Sequence, residues 1–233
     1  MPAYNEEANI QEVVSQWHSI VMRLREEGVD AQLAVANDGS KDNTSEILHR
    51  IKINYPCLVP LDKANSGHGA TLLYLYEYAL EQGADYIFQT DSDGQTIPEE
   101  FFEMWRKRGA ADFHIGHRID RQDGLSRKMV TRVLRFVVYA IFHVWVRDAN
   151  TPFRLMKADA LKETLRFIPK DFFLTNVAIS AIAVKEEKEI MWYPVTFRPR
   201  QGGVNSLNLK RIFKIGVKSL SELSAINDNL RKR

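Results

Sequence analysis

Two aspartates, Asp91 and Asp93, flank a single serine directly after the apolar run Tyr86-Ile87-Phe88-Gln89-Thr90, and Gly94 and Gln95 follow. Carboxylates this close repel one another unless positive charge lies between them, and a divalent cation that keeps some of its waters would relieve the repulsion. Mg²⁺ or Mn²⁺ held in this way is typically completed by a substrate's phosphates. An isolated Asp-x-Asp is more often an acidic surface turn, so its weight depends on its neighbours.

The neighbours are of the same kind. Asp38, in Asn37-Asp38-Gly39-Ser40, ends a short apolar run at 31–36. Gly39 and Ser40 allow a tight turn there, and the carboxylate could accept hydrogen bonds from a base or ribose; on its own it is simply a turn. Asn65-Ser66-Gly67-His68-Gly69 opens a helical pattern, where free backbone N–H groups can meet an anion. A plain helix start explains that segment equally well, and His68 reads as a polar loop histidine, not a metal ligand. Arg118, in Gly116-His117-Arg118, and Arg200, in Arg200-Gln201-Gly202-Gly203-Val204-Asn205-Ser206, are cations beside glycine turns. Such arginines suit bidentate phosphate binding; the alternative is a solvated surface side chain. Asp148 and Arg154 bracket Thr151-Pro152-Phe153, either as an ion pair closing a loop or as an acid–base and phosphate-binding pair. No Gly-x-x-x-x-Gly-Lys-Ser/Thr, Gly-x-Gly-x-x-Gly or Gly-x-Ser-x-Gly occurs, which removes support from ATPase, dehydrogenase and hydrolase readings.

The elements that must position these residues alternate. Asn5 is a candidate N-cap with Glu6 and Glu7 behind it, and Ile10, Val13, Val14, Trp17, Ile20, Val21 and Leu24 recur at helical spacing until Gly28. The pattern predicts a strand at 31–36, a helix at 44–53, a strand at 58–61, a helix at 67–82, a buried strand at 86–90 and a helix after Pro98. Strand and helix in alternation imply crossover units, a mostly parallel sheet and ligands beyond the carboxyl ends of its strands, where these turns fall. The loop Pro2-Ala3-Tyr4-Asn5-Glu6-Glu7 looks like a strand-to-helix connection with no strand ahead of it, so the first strand is expected to be missing. From 125 to 146 the pattern changes: Arg127, Lys128, Arg132 and Arg135 precede the apolar, aromatic run at 136–146. That run is too short to cross a bilayer, which takes about 20 residues. It reads either as a buried core helix or as an interfacial one. The tail from 208 onward reads as an amphipathic helix ending in Arg231-Lys232-Arg233.

Composition bounds the rest. The 233 residues are 45% hydrophobic and 27% charged, which excludes both a disordered chain and an integral membrane bundle. A net charge of +2 makes no case for nucleic acid as a partner. One cysteine, Cys57, excludes an internal disulfide and a cysteine-based zinc site. Acidic Glu6 and Glu7 stand where a secretory leader needs basic residues, so a cytosol-facing protein is expected.

Taken in order, Pro2-Ala3-Tyr4-Asn5-Glu6-Glu7, Asn37-Asp38-Gly39-Ser40-Lys41-Asp42-Asn43-Thr44, Asn65-Ser66-Gly67-His68-Gly69 and Asp91-Ser92-Asp93-Gly94-Gln95 resemble glycosyltransferase family 2. Within it, the likeness is to dolichyl- and polyprenyl-phosphate sugar synthases, and it continues through Gly116-His117-Arg118, 148–155 and 200–206. The resemblance implies an α/β, GT-A Rossmann-like fold with a mostly parallel central sheet flanked by helices. It implies a catalytic domain over 1–206, with a nucleotide half at about 1–95 and an acceptor half at about 96–206, and a basic helix at 207–233. Pro2, Tyr4, Asn5, Glu6, Asp38, Gly67, Asp91, Ser92, Gln95 and Arg200 would bind the nucleotide sugar, with UDP and GDP left open. Asp91, Asp93 and Gln95 would hold Mg²⁺ or Mn²⁺. Arg118, Arg127, Arg132, Arg154 and Ser206 would meet an acceptor phosphate, and 136–145 would lie against a membrane. Catalysis would rest on Asp93, Asp148 and Arg118.

The implied reaction releases a diphosphate from an anomeric carbon, with inversion, and metal and arginines stabilise the developing charge. A polyprenyl phosphate acceptor is already anionic and needs no strong base. A saccharide hydroxyl does, and Asp148 would then take its proton. An inactive relative that only binds a nucleotide sugar is the third expectation. The protein is expected to be peripheral on the cytoplasmic face of a membrane.

Overall fold

The computed structural model describes residues 1–118, 125–199 and 209–232, and the side chains of these except at 125–131 and 209–219. In chain order the elements are β1 (Pro2–Ala3), α1 (Ile10–Glu26), β2 (Leu33–Asp38), α2 (Thr44–Ile51), β3 (Leu58–Lys63), α3 (His68–Glu81), β4 (Tyr86–Gln89), α4 (Phe101–Arg106), β5 (Phe113–Arg118), α5 (Leu125–Phe142), β6 (Arg154–Lys157), α6 (Ala158–Leu165), α7 (Thr175–Lys185), β7 (Ile190–Val195) and α8 (Leu209–Arg231). The helices predicted at the start of the chain are present. In α1 every apolar position picked out by its spacing, from Ile10 to Leu24, is buried.

The strands form two sheets. β1, β2 and β3 run parallel in that order, and the second sheet has the order β4-β6-β5-β7. β5 and β7 are parallel, whereas β6 runs against both β4 and β5. The parallel α/β architecture is as expected, with β6 as its reversed member.

The expectation of a missing first strand is corrected. Pro2 pairs with Ala36 and Ala3 with Asn37, and Met1 extends the line, its carbonyl accepting from the Ala36 N–H at 2.9 Å. A two-residue strand carries no period-2 signal, which is why the sequence did not announce it. Ser92 Oγ donates to the Pro2 carbonyl at 2.8 Å and so joins the ends of the two sheets. Beside Met1, the space between β2 and β4 is a cavity of about 450 Å³ lined by Trp17, Leu33, Tyr76 and Ile87 among others.

Two cores hold the layers. One packs α1 against β2 and the aromatic residues Phe88, Phe101 and Phe153, the latter two 4.9 Å from the Phe88 ring. The other surrounds α7, whose residues Thr175 to Ala183 are all buried because α3, α5, α6 and α8 pack around it. Such a helix shows no polar face, so helical periodicity could not reveal it.

Helix α5 answers the choice posed by its sequence. Val138 and Phe142 are in the core, but Val133, Phe136 and Tyr139 point outward, Phe136 at 67% exposure. Just beyond the helix, Trp145 is 62% exposed and stacks edge-on with Tyr139 at 5.7 Å. The helix is thus core on one face and an exposed aromatic stripe on the other. In α8, Leu223, Ile226 and Leu230 are buried at helical spacing, and Asn227 Nδ2 donates to the Ile141 carbonyl at 2.8 Å. Among the described residues no helix is long and apolar enough to cross a membrane.

Candidate active site

The loops at the carboxyl ends of β1, β2 and β4 are tied together by hydrogen bonds between residues distant in sequence. Asn5 takes a positive φ of 54°, a conformation asparagine tolerates better than most residues. There its Oδ1 accepts the Lys41 N–H at 2.8 Å while its own N–H meets Ser40 Oγ at 3.0 Å. The Glu6 N–H donates to Thr44 Oγ1 at 2.8 Å. Tyr4 is left exposed at the rim, and Glu6 is buried. The loop that would hold a base is therefore anchored, with a two-residue strand behind it.

Asp38 does not face outward. Its carboxylate accepts from Lys63 Nζ at 2.6 Å, from the Ser66 N–H at 2.9 Å and from the Gly67 N–H at 2.8 Å. These are the N–H groups that the sequence offered to an anionic ligand; in the fold the anion is Asp38 itself. Burial alone would raise the Asp38 pKa, but the bonds from Lys63, Ser66, Thr71 and Gly67 bring it below the usual carboxylate range. Lys63, with further bonds to the Ala64 carbonyl and Ser66 Oγ, went unnoticed in the sequence, where it is only the polar end of a strand. Gly39 has a φ of 63°, and a Cβ there would lie 2.7 Å from the Asn65 nitrogen, so glycine is required for this turn to close on 65–67.

The loop after β4 is equally fixed. Thr90 and Thr96 share a hydroxyl hydrogen bond of 2.9 Å across its base. The Gln95 N–H donates to Asp93 Oδ1 at 3.1 Å. The Gln95 side-chain NH2, beside the oxygen expected on a metal, donates to the Arg198 carbonyl at 2.9 Å. Ser92, expected on the nucleotide sugar, is buried and bound to Pro2. Asp91 meets His68 Nε2 at 3.1 Å. Burial works against protonation of His68, but Asp91, then Asp93 and Asp38, raise its pKa. His68, expected to be a plain loop histidine, thus pairs with the first carboxylate of the acidic turn.

Among the described residues no group of three or more His, Cys, Asp or Glu side chains could cage a metal unaided. Two carboxylates on a rigid turn suit a hard ion that needs only one or two protein ligands and completes its shell with waters and phosphates. The donor set fits Mg²⁺ or Mn²⁺ in that mode.

Across the site, Arg118 at the end of β5 grips Asp148. Nε meets Oδ2 and Nη2 meets Oδ1, both at 2.8 Å, and the guanidinium lies 5.3 Å from the Phe197 ring centroid. Arg154 is placed elsewhere than expected. It is 0% exposed, and its donors go to the carbonyls of Thr151, Ala149 and Asn176 at 2.7, 2.7 and 3.0 Å. A guanidinium so enclosed does not reach an acceptor phosphate, because β6 lies inside the second sheet and packs its side chains into the core. Arg132 is exposed on α5. Arg200, Ser206 and the side chain of Arg127 lie outside the described residues.

The start of α3 also touches the far half of the molecule. A Cβ on Gly69 would lie 2.2 Å from the Phe172 carbonyl oxygen, and Thr175 Oγ1 donates to the Gly69 carbonyl at 3.0 Å.

A parallel sheet whose strand ends carry an acidic turn, anchored loops and an arginine is the arrangement of a GT-A glycosyltransferase. The chain belongs to Glycosyl transferase family 2, whose profile matches residues 1–179. Polyprenol monophosphomannose synthase of Mycolicibacterium smegmatis is 22% identical over 217 residues, covering 89% of this chain and 79% of the relative. UDP-N-acetylglucosamine--dolichyl-phosphate N-acetylglucosaminyltransferase of Methanococcus voltae is 25% identical over 182 residues, 70% of this chain and 69% of the relative. Among solved structures, glucosyl-3-phosphoglycerate synthase of Mycobacterium tuberculosis superposes with a TM-score of 0.67 at 17% identity, over 97% of this chain and 78% of that one. The same enzyme solved with Mn²⁺, uridine diphosphate and phosphoglyceric acid gives a TM-score of 0.65.

Proposed function

We propose that this glycosyltransferase moves a sugar, with inversion, from a nucleotide diphosphate to a polyprenyl phosphate at a membrane surface. The observation that carries the acceptor is the outward face of α5. Val133, Phe136, Tyr139 and Trp145 expose an apolar stripe beside Arg132. A soluble chain has no use for such a stripe unless it docks on something apolar, and arginine beside aromatics suits the headgroup zone of a bilayer. Two relatives carry polyprenol and dolichyl phosphate in their names, which supports the same acceptor.

Tyr4, Asn5 and Glu6 would border the base, with Pro2, Asp38, Gly67 and Ser92 acting by holding the loops in place. Asp91 and Asp93 would hold Mg²⁺ or Mn²⁺, which supplies charge stabilisation for the departing diphosphate. Gln95 supports that pair through its N–H to Asp93. Arg118 has five N–H groups, of which its side-chain bonds to Asp148 use two, and the others are suited to a phosphate. Arg127, Arg132 and Ser206 would receive the lipid phosphate, and Arg200 the donor. Asp148, locked by Arg118, is a poor base, which agrees with a nucleophile that is already an anion. In this reading 1–95 forms the nucleotide half, 96–206 the acceptor half and 207–233 a helix at the membrane, on the cytoplasmic side.

The experiment is an assay of UDP- and GDP-sugars with Mg²⁺ or Mn²⁺ and a short-chain polyprenyl phosphate, with a free oligosaccharide as the competing acceptor. Formation of a lipid-linked sugar supports the reading. Transfer to the oligosaccharide alone replaces it with the saccharide reading, and stabilisation by donor without any product replaces it with the binding-only one.

A further inference from the structure

Among the described residues one arginine is fully buried. Arg154 lies in the middle of the second sheet, its guanidinium surrounded by carbonyl oxygens from two separate segments. Ala149 and Thr151 belong to the loop that follows Asp148, and Asn176 lies in the first turn of α7. Ser180, one turn further along α7, shares its single hydroxyl proton between the same Ala149 and Asn176 carbonyls, at 3.1 and 2.9 Å. Arg154 and Ser180 thus close a ring of hydrogen bonds around the residue next to Asp148, and Asp148 in turn holds Arg118.

Stability is a poor account of this ring. Burying a guanidinium away from water is unfavourable, and a well-packed apolar side chain is often the more stable choice. Two further buried groups in the cluster, Thr151 Oγ1 and Asn176 Oδ1, have no hydrogen-bond partner, a condition native cores usually avoid. Burial lowers the Arg154 pKa to about 10, with Tyr76 and Asp148 opposing the shift, so the side chain stays charged at neutral pH. What only a planar guanidinium supplies is several N–H groups in fixed directions, and three carbonyls converge on it here. We propose that Arg154 is a positioning residue: by fixing the Ala149–Thr151 backbone against α7 it sets Asp148, and through Asp148 the direction in which Arg118 presents its guanidinium to a phosphate. The proposal rests on the reading that Arg118 meets a substrate phosphate.

The test uses the full chain with Arg154→Lys, Arg154→Met, Ser180→Ala and Arg118→Lys. With activity normalised to the folded fraction, Arg154→Met should lower kcat about tenfold to hundredfold and raise the KM of one phosphate-bearing substrate. Arg154→Lys should recover little of this, because one ammonium cannot reach three carbonyls. Arg154→Met combined with Arg118→Lys should be no worse than Arg118→Lys alone, since residues acting in series are not additive. Effects that multiply in full, or a loss that merely follows the folded fraction with both KM values unchanged, overturn the proposal. If Arg154→Met does not fold, Ser180→Ala and Arg154→Lys enter the same comparison. If the wild type transfers nothing to polyprenyl phosphate, the acceptor reading fails by itself. The proton signal of Arg118 Nε–H then decides the positioning role, and an unchanged signal in the Arg154 or Ser180 variants overturns it.

Discussion

Arg118 and Asp148, 30 residues apart in sequence, meet in a two-point grip in which each carboxylate oxygen receives one guanidinium N–H at 2.8 Å. The pair is almost wholly removed from solvent, with side-chain exposures of 16% and 7%. Both carboxylate oxygens are turned toward the arginine and away from solvent, which leaves Asp148 poorly placed to take a proton from a nucleophile.

The first prediction follows from that grip. Asp148→Asn replaces one of the two acceptors of Arg118 with a donor and should lower transfer to a polyprenyl phosphate about tenfold to hundredfold, as Arg154→Met does, while leaving the pH dependence of the remaining activity unchanged, since no proton has to be removed from the nucleophile. Removal of a general base costs about 10² to 10⁴ and takes the acid limb of the pH–rate profile with it, and that result in steady-state assays would assign the acceptor as a hydroxyl.

Asp93→Ala should abolish transfer, by about a hundredfold or more, while leaving the melting transition in place, because the loop is held independently by Thr90, Thr96 and Ser92. Titration with Mn²⁺ should show weakened dependence on the metal in Asp91→Asn. Undiminished turnover by Asp93→Ala would refute the metal role.

Asp38 makes a prediction about stability and pH. Asp38→Asn leaves Lys63 buried without its counter-charge and should cost about 3 kcal/mol at neutral pH. The wild-type carboxyl has a folded pKa below its unfolded value, so the advantage over the variant is full above about pH 4 and shrinks as the pH falls through the folded value. Denaturant melts of both proteins at pH 7 and pH 3 check this; a gap that widens in acid contradicts it.

Phe136→Glu together with Trp145→Glu should reduce co-sedimentation with anionic vesicles about tenfold or more, because each ring forfeits roughly 2 kcal/mol of apolar burial. Thermal stability should be unchanged, since both side chains are exposed in the fold. Equal sedimentation of variant and wild type would remove the bilayer as the partner of this face.

Much of this architecture was legible from residue types. The spacing in α1 and the acidic turn after β4 are both local signals, and both fall where the pattern placed them. What the sequence could not show depends on distant partners. Asp38 reads as a ligand contact until Lys63 and the backbone of Ser66 and Gly67 are seen around it. Arg154 reads as a partner of Asp148 or of a phosphate, because β6 spans only Arg154–Lys157 and is too short for its burial to be apparent. His68 has no helical or strand-based cue that would bring it to Asp91. In α5 the apolar run hides two faces, which only packing against α7 and α8 separates.

Gly69 has one more implication. Its missing methyl is the clearance by which the first turn of α3 rests on the backbone of Phe172 and Phe173. The spacing between α3 and the segment that leads into α7 is thereby fixed by main chain against main chain. Attempts to redesign either flank, by grafting a loop from a relative or by swapping halves between paralogues, must carry this contact across intact, and position 69 tolerates nothing larger than hydrogen.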